Sequence, residues 1–146
     1  MPRILAVDWG ERRVGLAVSD STGTIASGLP TLVVRAPAEA VAQVAAKAAE
    51  LEAESIVVGL PLLLSGERGA AAEAAERFAG SLREASGLPV HTWDERLTSA
   101  LATRRLHEVG ERTGARKERV DQGAAVALLE SWLARLDAER RRREGA

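Results

Sequence analysis

The chain has 146 residues, a formal net charge of −1 and no cysteine. Its length suits one domain with a buried core, and the lack of cysteine excludes disulfide bonds, thiolate metal sites and a cysteine nucleophile. No window reaches the roughly 18 apolar residues of a membrane span, and the first residues run into a strand without a signal peptide. We therefore expect a cytoplasmic protein without membrane contact, with one domain over residues 1–138 and a basic tail over residues 139–146.

The first three predicted elements are β-strands. The apolar residues 4–7 end at Asp8, and a turn containing Gly10 leads to a second apolar run at residues 16–18, which is typical of a hairpin. Residues 24–34 predict a third strand that closes the meander. An unbroken apolar strand is usually buried on both faces, which places Asp8 at the rim of a sheet, where Gly10 leaves room for a ligand backbone. The alternative for Asp8 is a turn residue that binds its own backbone.

Helices and strands alternate in the rest of the chain. Pro37 suits the first position of a helix, and residues 55–60 predict a buried strand that ends before Pro61. Another helix ends near Gly87, residues 90–93 predict the last strand, and a helix over about residues 98–110 precedes a final one from about residue 118. This order predicts an α/β fold with a mixed sheet, an antiparallel meander plus parallel strands, and helices on both faces.

Acidic residues lie where this topology brings elements together. Asp8 ends the first strand, Asp94 and Glu95 follow the last strand, and Asp121 lies on the apolar stripe of the final helix. Strand carboxyl ends gather around one crevice in such sheets, so Asp8, Glu95 and Asp121 can converge. Oxygen ligands suit Mg²⁺ or Mn²⁺, and carboxylate clusters of this kind support phosphodiester hydrolysis with bound metal ions. The alternative for Asp121 is a carboxylate favoured by a helix N-terminus.

Four motifs together resemble the YqgF family, whose members are described as Holliday junction resolvases and as pre-16S rRNA nucleases. The resemblance covers nearly the whole chain and implies a ribonuclease H-like fold with Asp8, Glu95 and Asp121 as metal ligands. The motifs are Asp8-Trp9-Gly10 with Arg13 and Gly15, Val58-Gly59-Leu60-Pro61 with Gly66, Asp94-Glu95-Arg96-Leu97-Thr98, and Lys117 with Val120-Asp121 and Ala124-Ala125.

The chain departs from related resolvases of this fold at two positions. They carry their second acid after the strand that here ends in Gly59-Leu60-Pro61, which has no carboxylate. Glu95 must then fill this role from the neighbouring strand, and we expect Glu95 to be the ligand while Asp94 caps the following turn. The related resolvases also have an acid where this chain has Ala124, so whether one or two metal ions bind stays open.

The predicted function is a metal-dependent endonuclease that hydrolyses structured RNA, and the family implies 5′-end processing of precursor 16S rRNA. Alternatives are a Holliday junction resolvase that cleaves branched DNA and a non-catalytic nucleic-acid-binding domain on the same fold. The oligomeric state, monomer or homodimer, is left open because a junction resolvase needs paired active sites whereas an rRNA trimming enzyme does not.

Four basic residues are candidates for nucleic-acid binding, namely Arg13, Arg96, Arg116 and Lys117. The segment of residues 104–119 contains six basic and three acidic residues, which gives it a local charge of +3. The arginine side chain is well suited to bind phosphate oxygens. Arg13 and Arg96 can instead pair with an acid. The predominance of arginine over lysine in the chain can also reflect codon usage. Trp9 and Trp93 flank the predicted site and can stack on an unpaired base or pack in the core.

Overall fold

The computed structural model describes residues 3–62, 65–97 and 114–145, with side chains in the last segment from Gln122 onward. Its five strands are β1 (Arg3–Asp8), β2 (Arg13–Ser19), β3 (Ala26–Val33), β4 (Ala53–Leu60) and β5 (Val90–Asp94). They form one sheet in the order β3-β2-β1-β4-β5. The first three strands pair antiparallel, whereas β4 runs parallel to β1 and β5 parallel to β4. The predicted mixed sheet is confirmed.

Among the described residues, three α-helices accompany the sheet, α1 (Pro37–Glu50), α2 (Ala70–Ser86) and α3 (Gly114–Glu144), and a short 3₁₀ helix spans Glu95–Leu97. Pro37 opens α1 as predicted, and Gly87 ends α2 in the left-handed conformation with φ of 70°. The helix predicted over about residues 98–110 lies outside the described residues. In the part of the chain that the structure describes, no helix has both the length and the apolar character of a membrane span.

The final helix begins earlier than expected and reaches the arginine-rich end of the chain as predicted. It begins four residues before the predicted start and continues without a break through residue 138 to Glu144. Residues 140–145 are exposed, so the basic segment at 139–146 is largely a solvated continuation of the helix. The predicted boundary between domain and tail falls inside α3.

The sheet buries a separate apolar cluster on each face, because successive strand residues point to opposite sides. Leu5 and Val7 pack with Val44, Phe78 and other residues of α1 and α2. Ile4 and Ala6 instead pack with residues of α3, among them Leu128, Leu129 and Trp132. Each large apolar side chain buried in this way stabilises the fold by roughly 1.5–3 kcal/mol. By the same alternation, Asp8 faces the α3 side of the sheet.

Candidate active site

Two carboxylates are buried at the carboxyl end of the central strands. Asp8 is 7% exposed at the end of β1, and Glu95 is 1% exposed in the 3₁₀ helix after β5. Across the described ranges, they are the only charged side chains that are buried. Burying a carboxylate is costly unless hydrogen bonds or a cation compensate for lost water, so these two positions mark the place where the fold accommodates unfavourable charge.

Glu95 reaches its position by crossing the neighbouring strand. A Cβ atom built on Gly59 of β4 would lie 2.5 Å from Glu95 Oε1 and 3.1 Å from its Cγ. Gly59 directly follows Val58, which pairs with Val7 immediately before Asp8. The Glu95 carboxylate therefore lies over the end of β4, between β5 and the end of β1. This is the placement that a ligand supplied from the neighbouring strand requires.

The two adjacent acids Asp94 and Glu95 occupy different environments. Burial, together with the negative charge of Asp94, raises the pKa of Glu95 to about 7. Asp94 Oδ1 accepts the backbone N–H of Arg96 at 2.9 Å, and its Oδ2 lies 2.7 Å from Arg96 Nη2. These contacts with Arg96 lower the pKa of Asp94. Asp94 thus holds the turn, as expected from the sequence, while Glu95 faces the interior.

Arg96 is engaged on two sides. Its guanidinium binds both carboxylate oxygens of Asp94. It also lies close to Gly66, since a Cβ atom added at Gly66 would be 3.3 Å from Arg96 Nη1. Gly66 has φ of 91°, a conformation that favours glycine. The guanidinium therefore connects the turn after β5 to the loop after β4. Its predicted contact with nucleic acid stays a prediction, and its visible partner is Asp94.

The turn between β1 and β2 uses Gly10 differently from our expectation. A Cβ atom on Gly10 would lie 2.7 Å from the carbonyl oxygen of Arg13. The space left by glycine is thus taken by the backbone of the turn itself and not by a ligand. Arg13, which opens β2, is half-buried and stays a candidate for phosphate binding.

Helix α3 carries the third predicted ligand. Asp121 lies within α3 together with Arg116 and Lys117, and their side chains are outside the description. The next residue, Gln122, packs against Gly28 of β3, where an added Cβ would lie 3.1 Å from Gln122 Oε1. Gly28 pairs with Ala17 of β2, which pairs with Ala6 of β1, two residues before Asp8. Gln122 therefore lies over β3 at the level of Ala6, on the face of the sheet that Asp8 occupies.

Ser131 of α3 braces the segment that carries Glu95. Its hydroxyl oxygen accepts the indole N–H of Trp93 at 2.9 Å and donates to the carbonyl oxygen of Leu97 at 3.3 Å. Trp93 precedes Glu95 by two residues and Leu97 follows it by two, so one hydroxyl ties down both flanks of the acid. This role could not be predicted from the sequence, because Ser131 lies 34 residues away from Leu97.

The two tryptophans next to the acids lie on opposite faces of the sheet. Trp93 packs against the α3 cluster, as one of the two interpretations predicted. Trp9 stacks on Phe78 at 5.4 Å between ring centroids and packs with the α1 and α2 cluster. The proposed stacking of Trp9 on a base beside the acids is therefore wrong, since strand alternation turns it away from Asp8.

The donor set suits a hard divalent cation. Both described acids offer oxygen atoms, which Mg²⁺ and Mn²⁺ prefer, and a bound cation would offset the desolvation that raises the pKa of Glu95. Among the residues that the structure describes, no group of three or more His, Cys, Asp or Glu side chains could hold a metal ion. The third ligand of the predicted set is Asp121, whose side chain lies outside them.

Comparison with solved structures defines the class of protein. A Thermus thermophilus RuvC in complex with Holliday junction substrate aligns with a TM-score of 0.59 at 16% identity, over 94% of this chain and 97% of that one. The fowlpox virus Holliday junction resolvase aligns with a TM-score of 0.51 at 15% identity, over 90% of this chain and 98% of that one. At these identities the likeness shows the fold alone, which is the ribonuclease H-like fold of RuvC-type resolvases.

Sequence comparison defines the family. The family model described as "RuvX: Holliday junction resolvase" matches residues 2–135. A protein of Chloroflexus aurantiacus is 43% identical over 130 residues, 89% of this chain and 85% of the relative. A protein of Koribacter versatilis is 44% identical over 138 residues, which are 94% of this chain and 90% of the relative. Both are named "Putative pre-16S rRNA nuclease". The chain belongs to the RuvX family of nucleases, also called YqgF, which its motifs resemble.

Proposed function

We propose that this protein is a divalent-metal-dependent endonuclease that hydrolyses phosphodiester bonds in structured RNA, with the 5′ end of precursor 16S rRNA as its substrate. The observation that carries the proposal is the burial of Asp8 and Glu95 on one face of the sheet, with Glu95 lying over Gly59. The names of the curated relatives support the choice of rRNA as substrate.

Asp8, Glu95 and Asp121 would hold the metal, Mg²⁺ or Mn²⁺. When bound, such ions activate water and stabilise the leaving oxygen in phosphodiester hydrolysis. The contribution of the chain is to keep the acids in place before any substrate arrives. Gly59 leaves space for Glu95, and Ser131 holds the Trp93 side chain before it and the Leu97 backbone after it. A site held in this way loses little free energy to reorganisation when charge develops.

Basic side chains would bind the RNA backbone around this centre. Arg116 and Lys117 lie in the first turns of α3, the helix that also carries Asp121. Arg13 begins the strand next to the one that ends in Asp8. Contacts from these residues to phosphates would position RNA of any sequence, because backbone contacts carry no base information. Arg96 would join them from its place beside Asp94.

A cleavage assay with two substrates tests the proposal. A labelled fragment spanning the 5′ end of precursor 16S rRNA and a four-way DNA junction are incubated with the protein in Mg²⁺ or Mn²⁺. We expect cleavage of the RNA fragment, its loss on metal removal, and a fall of at least about 100-fold for Glu95→Gln. Asp94→Asn is the matched control and should keep most of the activity. Cleavage of the junction with none of the RNA would contradict the proposed substrate.

Branched DNA is the second candidate substrate, because the family model is described as a Holliday junction resolvase and the fold is that of RuvC. Resolution of a junction needs two active sites that cut symmetrically related strands. This alternative therefore predicts a homodimer under assay conditions and paired nicks in opposite strands. A monomer by light scattering, active on RNA, would favour the first proposal.

A further inference from the structure

A cleft opens beside β5, the edge strand of the sheet. It has a volume of about 390 Å³ and lies between β5 and side chains of α2 and α3. It is lined by His91 and Trp93 of β5, by Trp132 and Arg135 of α3, and by Arg83 of α2. The acids of the candidate active site are not among its lining residues.

Aromatic rings and a guanidinium form a layered wall in this cleft. The His91 ring stacks on Trp132 with centroids 5.2 Å apart and an interplanar angle of 28°, and Trp93 meets Trp132 edge-on at 5.4 Å. The Arg135 guanidinium carbon lies 4.8 Å from the Trp132 centroid and 5.2 Å from that of Trp93. His91 is exposed whereas Trp132 is buried. The wall therefore presents a supported π surface to solvent.

The charge of the cleft is positive. Arg83 donates from Nε and Nη2 to the carbonyl oxygen of Val90, at 3.0 and 2.8 Å, and this contact holds the guanidinium at the rim without neutralising it. Arg135 has one acidic partner, Glu139, at 3.1 Å. No acidic side chain lines the cleft within the described segments. Its lining thus offers arginines and aromatic faces together.

The cleft lies along the strand that leads to Glu95. His91, Trp93 and Glu95 are alternate residues, and the α3 cluster includes both Trp93 and Trp132. The four steps from His91 to Glu95 cover roughly 13 Å at the rise of an extended strand. This is about the length of four stacked bases at 3.4 Å each. A strand that leaves the acids along β5 would pass directly over the aromatic wall.

We propose that this cleft binds the single-stranded RNA segment that flanks the cleaved bond, with bases stacked at His91 and phosphates near Arg83 and Arg135. The proposal rests on the proposed nuclease function and adds a second contact surface to it. Aromatic faces combined with cationic side chains are the usual means of holding single strands without sequence preference. The positive lining and the position along the strand that leads to Glu95 favour a nucleic-acid strand over a protein segment as the occupant.

Binding measured without divalent cations separates this surface from cleavage. Two labelled RNAs are compared by anisotropy, a blunt duplex and the same duplex with a single-stranded flank of about four nucleotides. The wild-type protein should bind the flanked RNA roughly tenfold more tightly than the blunt one. Arg135→Gln and His91→Ala should each remove most of this difference. Arg135→Lys should keep part of it, because lysine retains charge but not a planar stacking surface.

The matched control is Arg141→Gln. Arg141 lies in the same helix and makes a comparable ion pair, with Asp137 at 3.0 Å, but does not line the cleft. This variant should bind both RNAs as the wild type does. If Arg135→Gln lowers the melting temperature, the exposed His91→Ala carries the test. In a Trp9→Phe variant, the remaining two tryptophans of the three in the chain lie at the cleft, so flanked RNA should quench the fluorescence and blunt RNA should not.

Equal affinity of both RNAs for the wild type, or an unchanged preference in Arg135→Gln and His91→Ala, would overturn the proposal and leave the cleft to another class of partner. The same RNAs in Mg²⁺ report on the nuclease itself. A retained flank preference in the wild type combined with normal cleavage by Glu95→Gln would leave the binding surface intact and refute the catalytic assignment. The two failures are therefore distinguishable.

Discussion

Replacing Glu95 by Gln should stabilise the metal-free protein at alkaline pH and not at acidic pH. Burial raises the pKa of Glu95 from 4.5 to about 7. Between these values the folded state retains a proton that the unfolded chain has released, so the wild-type free energy of unfolding falls as pH rises through this window. A shift of this size corresponds to about 3 kcal/mol at 1.36 kcal/mol per pKa unit. The amide cannot ionise, so the variant escapes this loss.

Urea unfolding at about pH 5 and about pH 9 measures the effect, followed by tryptophan fluorescence. The quantity of interest is the stability difference between Glu95→Gln and the wild type at pH 9 minus that at pH 5. Any change in packing near Gly59 is common to both conditions and cancels in this subtraction. We expect the result to be positive and of order 3 kcal/mol.

Asp94→Asn serves as the control because the pKa of Asp94 is lowered by Arg96. The stabilisation from that carboxylate is present at both pH values and disappears only as pH falls through its lowered pKa. The control difference should therefore change between pH 5 and 9 only by the smaller part of the Glu95 shift that the charge of Asp94 causes, because burial is the larger cause. Addition of Mg²⁺ at pH 8 should stabilise the wild type more than Glu95→Gln, since a ligand that binds only the folded state raises its stability. A pH-independent difference for Glu95→Gln would refute the argument that burial dominates the ionisation of this acid.

Four further changes probe the same site. Asp8→Asn should abolish cleavage while the melting temperature without metal stays level or rises, and a mutant that keeps most of its activity would remove Asp8 from the site. Gly59→Ala should lower the free energy of unfolding by roughly 1 kcal/mol and cleave at least about 100-fold more slowly, because its methyl group displaces the buried Glu95. Cleavage at the wild-type rate would contradict the placement of Glu95 over β4. Ser131→Ala should lower kcat about tenfold with KM unchanged, and recovery in Ser131→Thr would show that the hydroxyl is responsible. Replacing Arg116 and Lys117 by Ala should flatten the slope of log affinity against log salt by about one unit per lost phosphate contact, and an unchanged slope would assign them to the solvated surface.

The architecture was predictable because its signals are local. Apolar runs bounded by Gly10, Pro61 and Gly87 marked strands and helix ends, and the resulting order of elements allows few sheet topologies. Strand alternation also predicted that Asp94 and Glu95 diverge, and the structure places the first against Arg96 and the second in the interior. In each case the information lies within a few residues or in the order of elements.

Contacts between distant residues were not predictable in the same way. Nothing near Ser131 in the sequence indicates that its hydroxyl meets Trp93 and Leu97, and nothing in the β5 sequence shows that His91 stacks on Trp132. Such pairs depend on the angle at which α3 crosses the sheet, which side-chain packing decides and periodicity does not. Trp9 was misplaced for a different reason, because closeness in sequence to Asp8 was taken as closeness in space although adjacent strand residues face opposite sides.

The position of the second acid links several features that look unrelated in the sequence. An acid at the end of β4 would stand directly beside Asp8, but this chain has Gly59 there and supplies Glu95 from the next strand. That arrangement works only if β4 offers an open path, if the side chain is long, and if the residues on both sides of the acid are held in place. Glycine, glutamate and the Ser131 hydroxyl meet these three conditions in turn. Since the rigidity of a supporting shell decides how well a carboxylate is preorganised, the site is better described as one unit of β4, the turn after β5 and α3 than as three separate acids.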